Sequence, residues 1–316
     1  MNILFFNLCN IGDTHFSQPF IENIVKNNIN YNFSLYCKFN YIIFSDIDRL
    51  EIHKNIDSNL LNYIIKYNNF RYNYNTDLNL IIINTWAGVY KENNYTPDAD
   101  LVFLTKKYYQ CIDNINNEFK LNLKYYIELQ LPKLPKLTLI DNTKINDFKN
   151  IYANFKLIFY YNYLPMSQQN FPIKSMEEHD EIILNLSQSN ENIILVPKLS
   201  SRIQYHIILN NIKNIIDCNN YFNLIEDNYC SNIYFYTYLT NYCNFVIYYD
   251  SGRSFTYINS NINKSNIKIH IANNDCYYKR LIINNPLIPD NLCKLCICFN
   301  KNDIIEKLDK YIKNII

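Results

Sequence analysis

The stretch Asn10-Ile-Gly-Asp-Thr-His-Phe-Ser-Gln-Pro-Phe20 follows closely on the apolar run Ile3-Leu-Phe-Phe-Asn-Leu8. A short apolar run without alternation predicts a strand buried on both faces, here Ile3–Asn7. Phe16, Phe20, Ile21, Ile24 and Val25 then share one helical face and predict a helix over about 16–26. Between strand and helix stands Gly12, one of only 3 glycines in 316 residues, beside Asp13. Glycine is needed where φ is positive or where backbone approaches a ligand closely. A turn at the carboxyl end of a strand is where open α/β sheets bind ligands.

The bulk composition fits this reading. The chain is 48% hydrophobic and 19% charged, enough apolar residues for a packed core and too few charges for disorder. Its length predicts two domains of about 150 residues each. Tyrosine (30) and phenylalanine (19) far outnumber tryptophan (1), and asparagine, isoleucine and lysine are abundant throughout. That bias points to an AT-rich genome, a giant virus among the candidates, and it blurs helix and strand periodicity. A net charge of +1 with no basic cluster excludes a phosphate-tracking surface, so no nucleic-acid partner is expected. The 10 cysteines are scattered, as in a reducing compartment; Cys293, Cys296 and Cys298 read as buried thiols on a short strand. No apolar run reaches the roughly 18 residues of a membrane span, so a soluble, cytoplasmic protein is expected.

Strand and helix signals alternate in two series. The first predicts strands at Asn32–Tyr36, Asn79–Asn84 and Leu101–Thr105, with helices at Asn59–Tyr67 and Lys106–Phe119. Pro132 and Pro135, in Leu-Gln-Leu-Pro-Lys-Leu-Pro-Lys-Leu (129–137), interrupt any regular element and mark the passage to a second domain. The second series predicts strands at Lys156–Tyr161, Asn192–Pro197, Asn214–Cys218, Asn244–Tyr249 and Lys268–Ala272. Helices are predicted at Met176–Leu186, Asn232–Thr240 and Lys301–Ile315. The expectation is an α/β protein of two Rossmann-like domains with parallel sheets, 1–140 and 141–316, the last helix packing back on the first domain.

The second aspartate-bearing turn is Asp250-Ser-Gly-Arg-Ser254, within Asn244-Phe-Val-Ile-Tyr-Tyr-Asp-Ser-Gly-Arg-Ser-Phe-Thr-Tyr-Ile258. It reads as strand, tight turn and helix. Such a turn aims the backbone N–H groups of Ser251 to Ser254 at an anion, and Arg253 adds charge. Asp250 or Ser251 reads equally as a plain helix cap, as does Asp13. Together, though, the two turns form a pattern. ILFFNLCNIGDTHFSQPFIENIVKNN (3–28) resembles the opening of glycosyltransferase family 9, the heptosyltransferase-like enzymes, where a strand leads into an N-x-G-D loop. VIYYDSGRSFTYINSN (246–261) resembles that family's D-[ST]-G-x-x-H-[LI]-A-A motif, with Phe255 in the histidine's place. KLIFYYNYLP, NENIILVPKLSS and IIDCNNYFNL fall where the family has its first C-terminal strands.

The resemblance implies the GT-B fold, two Rossmann-like domains facing across a cleft. It also implies an inverting, metal-independent transfer of sugar from a nucleotide-sugar donor to a glycan or other hydroxyl acceptor. Asp13 occupies the position of the general base. Asp250, Ser251, Gly252, Arg253 and Ser254 would hold the donor, with Lys198 a further phosphate candidate. Asn10, Gly12, Thr14, His15 and Trp86 would line the acceptor side, the tryptophan as a platform for a sugar ring. No cofactor or metal is expected. Asp46-Ile-Asp48 and Asp98-Ala-Asp100 match the D-x-D pattern of cation-dependent transferases but read as chance matches. His179 reads as solvated. A catalytically silent binding module and a sugar-nucleotide epimerase of the same fold stay open.

Overall fold

A computed structural model of the chain describes residues 1–8, 11–38, 41–86, 101–136, 142–162, 172–197, 212–224, 229–249, 254–261, 265–273, 287–288 and 293–313. The chain divides into two compact units. The first is Met1–Lys136 with Ile258–Asn261 and Asn284–Leu287; the second is Leu137–Tyr257, Ile262–Ile283 and Ile288–Ile316.

In the first unit a five-stranded sheet forms from β1 (Asn2–Asn7), β2 (Asn32–Cys37), β3 (Leu50–His53), β4 (Tyr72–Asn75) and β5 (Leu80–Asn84), in the order β3-β2-β1-β5-β4. The pairings are parallel except at the β4 edge, which runs antiparallel to β5 and so departs from the all-parallel expectation. β1 is central, and Ile3, Leu4, Phe5 and Phe6 are all buried. On one face Phe5 meets Phe20 edge-on at 5.9 Å and stacks on Phe33 at 6.0 Å. Phe20 belongs to α1 (Ile11–Asn27) and stacks in turn on Tyr108 of α3 (Leu101–Phe119) at 4.8 Å. The other face buries Leu4, Phe6, Leu80 and Ile82 with Ile64 of α2 (Ser58–Lys66), a helix that Asp57 caps through Asn59 N and Leu60 N.

Two expectations change here. Leu101–Thr105 is the first turn of α3 rather than a strand, because its apolar run continues the helical stripe of Tyr108, Cys111, Ile112 and Ile115. Gly12 lies in the first turn of α1, which starts at Ile11, so it does not serve a sharp turn of positive φ. No described glycine has a positive φ. The left-handed positions fall instead on Arg49, Asn79, Lys120 and Asn223, and asparagine tolerates that region best after glycine.

From Leu121 to Lys136 the chain forms no helix or strand, and its two prolines lack the N–H that a ladder would need. Asparagine amides grip it. Asn116, Asn28 and Asn23 each donate from Nδ2 to a carbonyl and accept at Oδ1 from the N–H of the same residue. The residues gripped are Leu123 (3.0 and 2.8 Å), Lys124 (2.7 and 2.7 Å) and Tyr126 (2.8 and 3.1 Å) respectively. A carboxamide here does the work of a neighbouring strand. Further along, Gln18 accepts from Lys133 N, and Asp46 accepts from Lys136 N at 2.6 Å, which accounts for Asp46 without a metal.

The second unit holds a six-stranded, wholly parallel sheet. Its strands are β6 (Lys156–Tyr160), β7 (Asn192–Val196), β8 (Ile215–Asp217), β9 (Phe245–Tyr249), β10 (Ile267–Ala272) and β11 (Cys293–Ile297), in the order β11-β10-β9-β6-β7-β8. Alongside run α4 (Asn142–Ile151), α5 (Met176–Leu186), α6 (Cys218–Phe222), α7 (Tyr229–Thr240) and α8 (Lys301–Lys313). One face packs Ile158, Tyr160, Ile194, Ile247 and Ile269 against Ile182 and Ile183 of α5 and Ile304, Leu308 and Ile312 of α8. The last helix therefore packs on its own unit's core, and α5 spans the residues its sequence predicts. On the other face Phe159 lies 6.1 Å from Tyr236 of α7.

Replacing Asn28, 5% exposed and holding both Lys124 and Ile24 O, should lower the unfolding free energy by about 1–3 kcal/mol. Urea denaturation of Asn28→Ala against the exposed Asn30→Ala checks this; equal midpoints would deny the amide clamps any weight.

Candidate functional site

A doubly wound sheet has one place where the strand order reverses, and the crevice beyond the carboxyl ends of the strands opens there. In the first unit the chain builds β2 and β3 on one side of β1 and returns to place β5 on the other, so the switch lies between β1 and β5. In the second, β7 and β8 lie to one side of β6 and β9 to the other, so the switch lies between β6 and β9.

Polar side chains collect at the β1/β5 switch. Thr85 N and Oγ1 both donate to Phe6 O, at 3.0 and 3.2 Å, and Asn7 Nδ2 donates to Thr85 Oγ1 at 3.3 Å. Tyr108, reaching from α3, donates its hydroxyl to Thr85 O at 2.7 Å. Arg71, at the entry to β4, donates from Nη1 to Asn84 O and from Nη2 to Trp86 O (3.0 Å). Its guanidinium sits 5.5 Å from the centre of the Tyr108 ring. Burial pushes the Tyr108 phenol up; the Arg71 charge opposes the shift and the Asp13 charge adds to it. Asp13 itself is half-buried in the first turn of α1, where the helix dipole favours a carboxylate.

The other first-unit candidates divide. Thr14 is fully buried. His15 is also fully buried, and its Nε2 donates to Ile258 O at 2.9 Å, so it ties α1 to the Ile258–Asn261 segment of its own unit. Burial lowers its pKa to about 4, the carbonyl bond acting the other way. Trp86 is half-buried, its N–H bonded to Asn84 Oδ1. Asn10 lies outside the described residues.

At the β6/β9 switch stand hydroxyls and an imidazole. Tyr160, the last residue of β6, shares hydrogen bonds with His179 Nδ1 (2.8 Å) and with the hydroxyl of Tyr249, the last residue of β9 (2.6 Å). His179 is therefore core rather than solvated, because its helix turns that face of Met-Glu-Glu-His-Asp-Glu-Ile inward. Asp250, Ser251, Gly252, Arg253 and Lys198 lie outside the described residues, though Asp250 follows β9 directly in the chain. Ser254 opens a four-residue 3-10 turn, Ser254–Tyr257, where an α-helix was expected. So short a turn sums few peptide dipoles, which leaves less helix-end field for an anion. Among the described residues no helix is long and apolar enough to cross a membrane, and no three of His, Cys, Asp and Glu group as metal ligands do.

Arg71, Tyr108, Asn7 and Thr85 went unmarked in the sequence reading. A signal for Arg71 existed: arginine occurs only 5 times in the chain, against 3 glycines.

These elements define a two-unit, doubly wound α/β protein with Asp13 in the first turn of the helix that follows β1. No protein-family model matches the sequence, and no curated protein matches it. Among solved structures the chain is similar to a glycosyl transferase of family 9 from Veillonella parvula, at 11% identity over 100% of this chain and 90% of that one, TM-score 0.45. It is similar to the ADP-heptose lipopolysaccharide heptosyltransferase II of E. coli, at 10% identity over 99% of both chains, TM-score 0.48. It is similar also to a protein described as a UDP-N-acetylglucosamine 2-epimerase from Listeria monocytogenes, at 12% identity over 99% of this chain and 88% of that one, TM-score 0.45.

The neutral, buried His15 ties stability to pH. Its folded pKa of about 4 lies below the unfolded value of 6.5, so the unfolded chain takes up a proton first as pH falls. Its stabilising contribution is full above pH 6.5 and is lost towards pH 4, by about 2 kcal/mol between pH 7 and pH 5. His15→Gln, which keeps a donor for Ile258 O, should flatten that part of the urea-midpoint profile. A profile unchanged by the substitution would contradict the assignment.

Proposed function

We propose that the protein is an inverting glycosyltransferase that moves a sugar from a nucleotide-sugar donor to a hydroxyl acceptor, with Asp13 as general base and no metal. The observation that carries this reading is the placing of Asp13. It stands in the first turn of α1, straight after the strand at the first unit's switch point. The motif resemblance at 3–28 and 246–261 supports it independently.

In the proposed step the Asp13 carboxylate takes the proton of the acceptor hydroxyl as its oxygen attacks the anomeric carbon. The bond from that carbon to the diphosphate breaks on the opposite side, and configuration inverts. The leaving diphosphate gains negative charge, for which Arg253 and the N–H groups of Ser251–Ser254 are the chain's candidate partners. Asp250 and Lys198 complete the donor set; Gly12, Thr14 and Trp86 belong to the acceptor side, Thr14 and Gly12 through backbone packing. A silent nucleotide-sugar-binding module is the second reading, favoured by Phe255 standing where the family motif carries histidine.

Incubation with a panel of nucleotide sugars and glycan acceptors tests the proposal. Asp13→Asn should cut turnover about 100-fold or more while nucleoside-diphosphate affinity stays within about twofold. Binding without any turnover that the substitution removes would favour the silent module, and no binding at all would overturn both.

A further inference from the structure

Several buried polar side chains in the second unit are satisfied. Asn192 Nδ2 donates to Leu186 O at 2.8 Å, Asn266 Nδ2 to Thr240 O at 2.7 Å, and Thr237 and Thr256 share a hydrogen bond at 3.0 Å. Asn162 and Tyr257 differ from these. Each is 1% exposed, and among the described residues neither the Asn162 Oδ1 nor the Tyr257 hydroxyl has a hydrogen-bond partner. A buried polar atom left unpaired costs the full desolvation of that group, so it calls for an explanation.

Their place in the fold supplies one. Asn162 lies just past β6, one residue beyond the last strand contact there, Tyr161 N to Ile247 O at 3.0 Å. Tyr257 closes the 3-10 turn that follows β9. Its ring stands edge-on to Tyr161 at 5.3 Å and lies 5.4 Å from the ring of Tyr248 in β9. The two orphan groups therefore belong to the two sides of the β6/β9 switch, where an open α/β sheet takes its ligand.

The atoms indicate what they would meet. A carboxamide oxygen only accepts, so it pairs with O–H or N–H and not with a phosphate oxygen. A phenol both donates and accepts. Neither carries charge. We propose that Asn162 Oδ1 and the Tyr257 hydroxyl are a recognition pair for a neutral vicinal diol of the bound nucleotide sugar. This rests on the reading of the second unit as the donor side. It is separate from the charged turn at Asp250–Ser254, which would hold the diphosphate. The diol has two sources, the ribose and the transferred sugar.

Isothermal titration calorimetry on the full chain tests it, with ADP, UDP, GDP and CDP, their 2′-deoxy forms and the matching nucleotide sugars. Asn162→Leu should weaken binding about tenfold and Tyr257→Phe about fivefold, with melting temperatures equal to or above that of the wild type. A loss that disappears with the 2′-deoxy ligand assigns the pair to the ribose. A loss seen only with nucleotide sugars assigns it to the transferred sugar. Either outcome supports the pair. Variants that melt higher yet bind every ligand as tightly as the wild type would make the two orphans packing defects and overturn the inference while leaving the donor reading intact. A wild type that binds none of these ligands would overturn the donor reading and the inference with it.

Discussion

A side-chain amide or hydroxyl taken into a protein interior must find a partner or cost about as much as a lost hydrogen bond, and this chain is built largely from residues that carry one. The fold depends on how that polarity is absorbed. In the first unit the amides of Asn23, Asn28 and Asn116 become surrogate strands that hold the 121–136 segment. In the second, Tyr160 bonds both Tyr249 and His179 inside the core. Glycine's conformational work is likewise handed on, to Asn79 and Asn223 among the left-handed positions.

That solution governs where chemistry is available. Side chains already engaged in structural bonds have little left for a ligand. His15, bonded to Ile258 O and held neutral, is one; Asp46, engaged with Lys136 N, is another. What stays distinctive is concentrated at the two switch points. At the first, Asp13 stands in the opening turn of α1 and the Arg71 guanidinium lies 5.5 Å from the centre of the Tyr108 ring. At the second, the Asn162 Oδ1 and the Tyr257 hydroxyl lie buried with no hydrogen-bond partner among the described residues. The sheet topology gives each unit one such locus.

Much of the architecture was legible before any coordinates. β1, β6, β7, β9 and β10 are short runs buried on both faces, and such runs announce themselves whatever the codon bias. α5 was legible to the residue, since Ser175 caps it and its apolar stripe ends with Leu186. Edge elements were not. β3 and β4 are only partly buried, so neither carries an apolar run or a clean alternation. Leu101–Thr105 has the same local pattern as a buried strand, and only its continuation into Tyr108 and Ile112 makes it helical. His179 sits among acidic neighbours that suggest solvent, while its own face of the helix turns to Tyr160.

The sequence by itself determined the α/β class, the two series of strands and an aspartate soon after the runs that became β1 and β9. Hydrophobic runs and helical stripes are local properties, carried by residues a few positions apart, and they survive any reading frame of contacts. Only the tertiary structure decided which polar groups are used up. Asn28 meets Lys124 across 96 positions, His15 meets Ile258 across 243, and Arg71 reaches the carboxyl end of β5 from a different turn. Hydrogen bonds between residues so far apart leave no periodic trace. They depend on where the packed sheets bring the backbone, and that is settled only when the core closes.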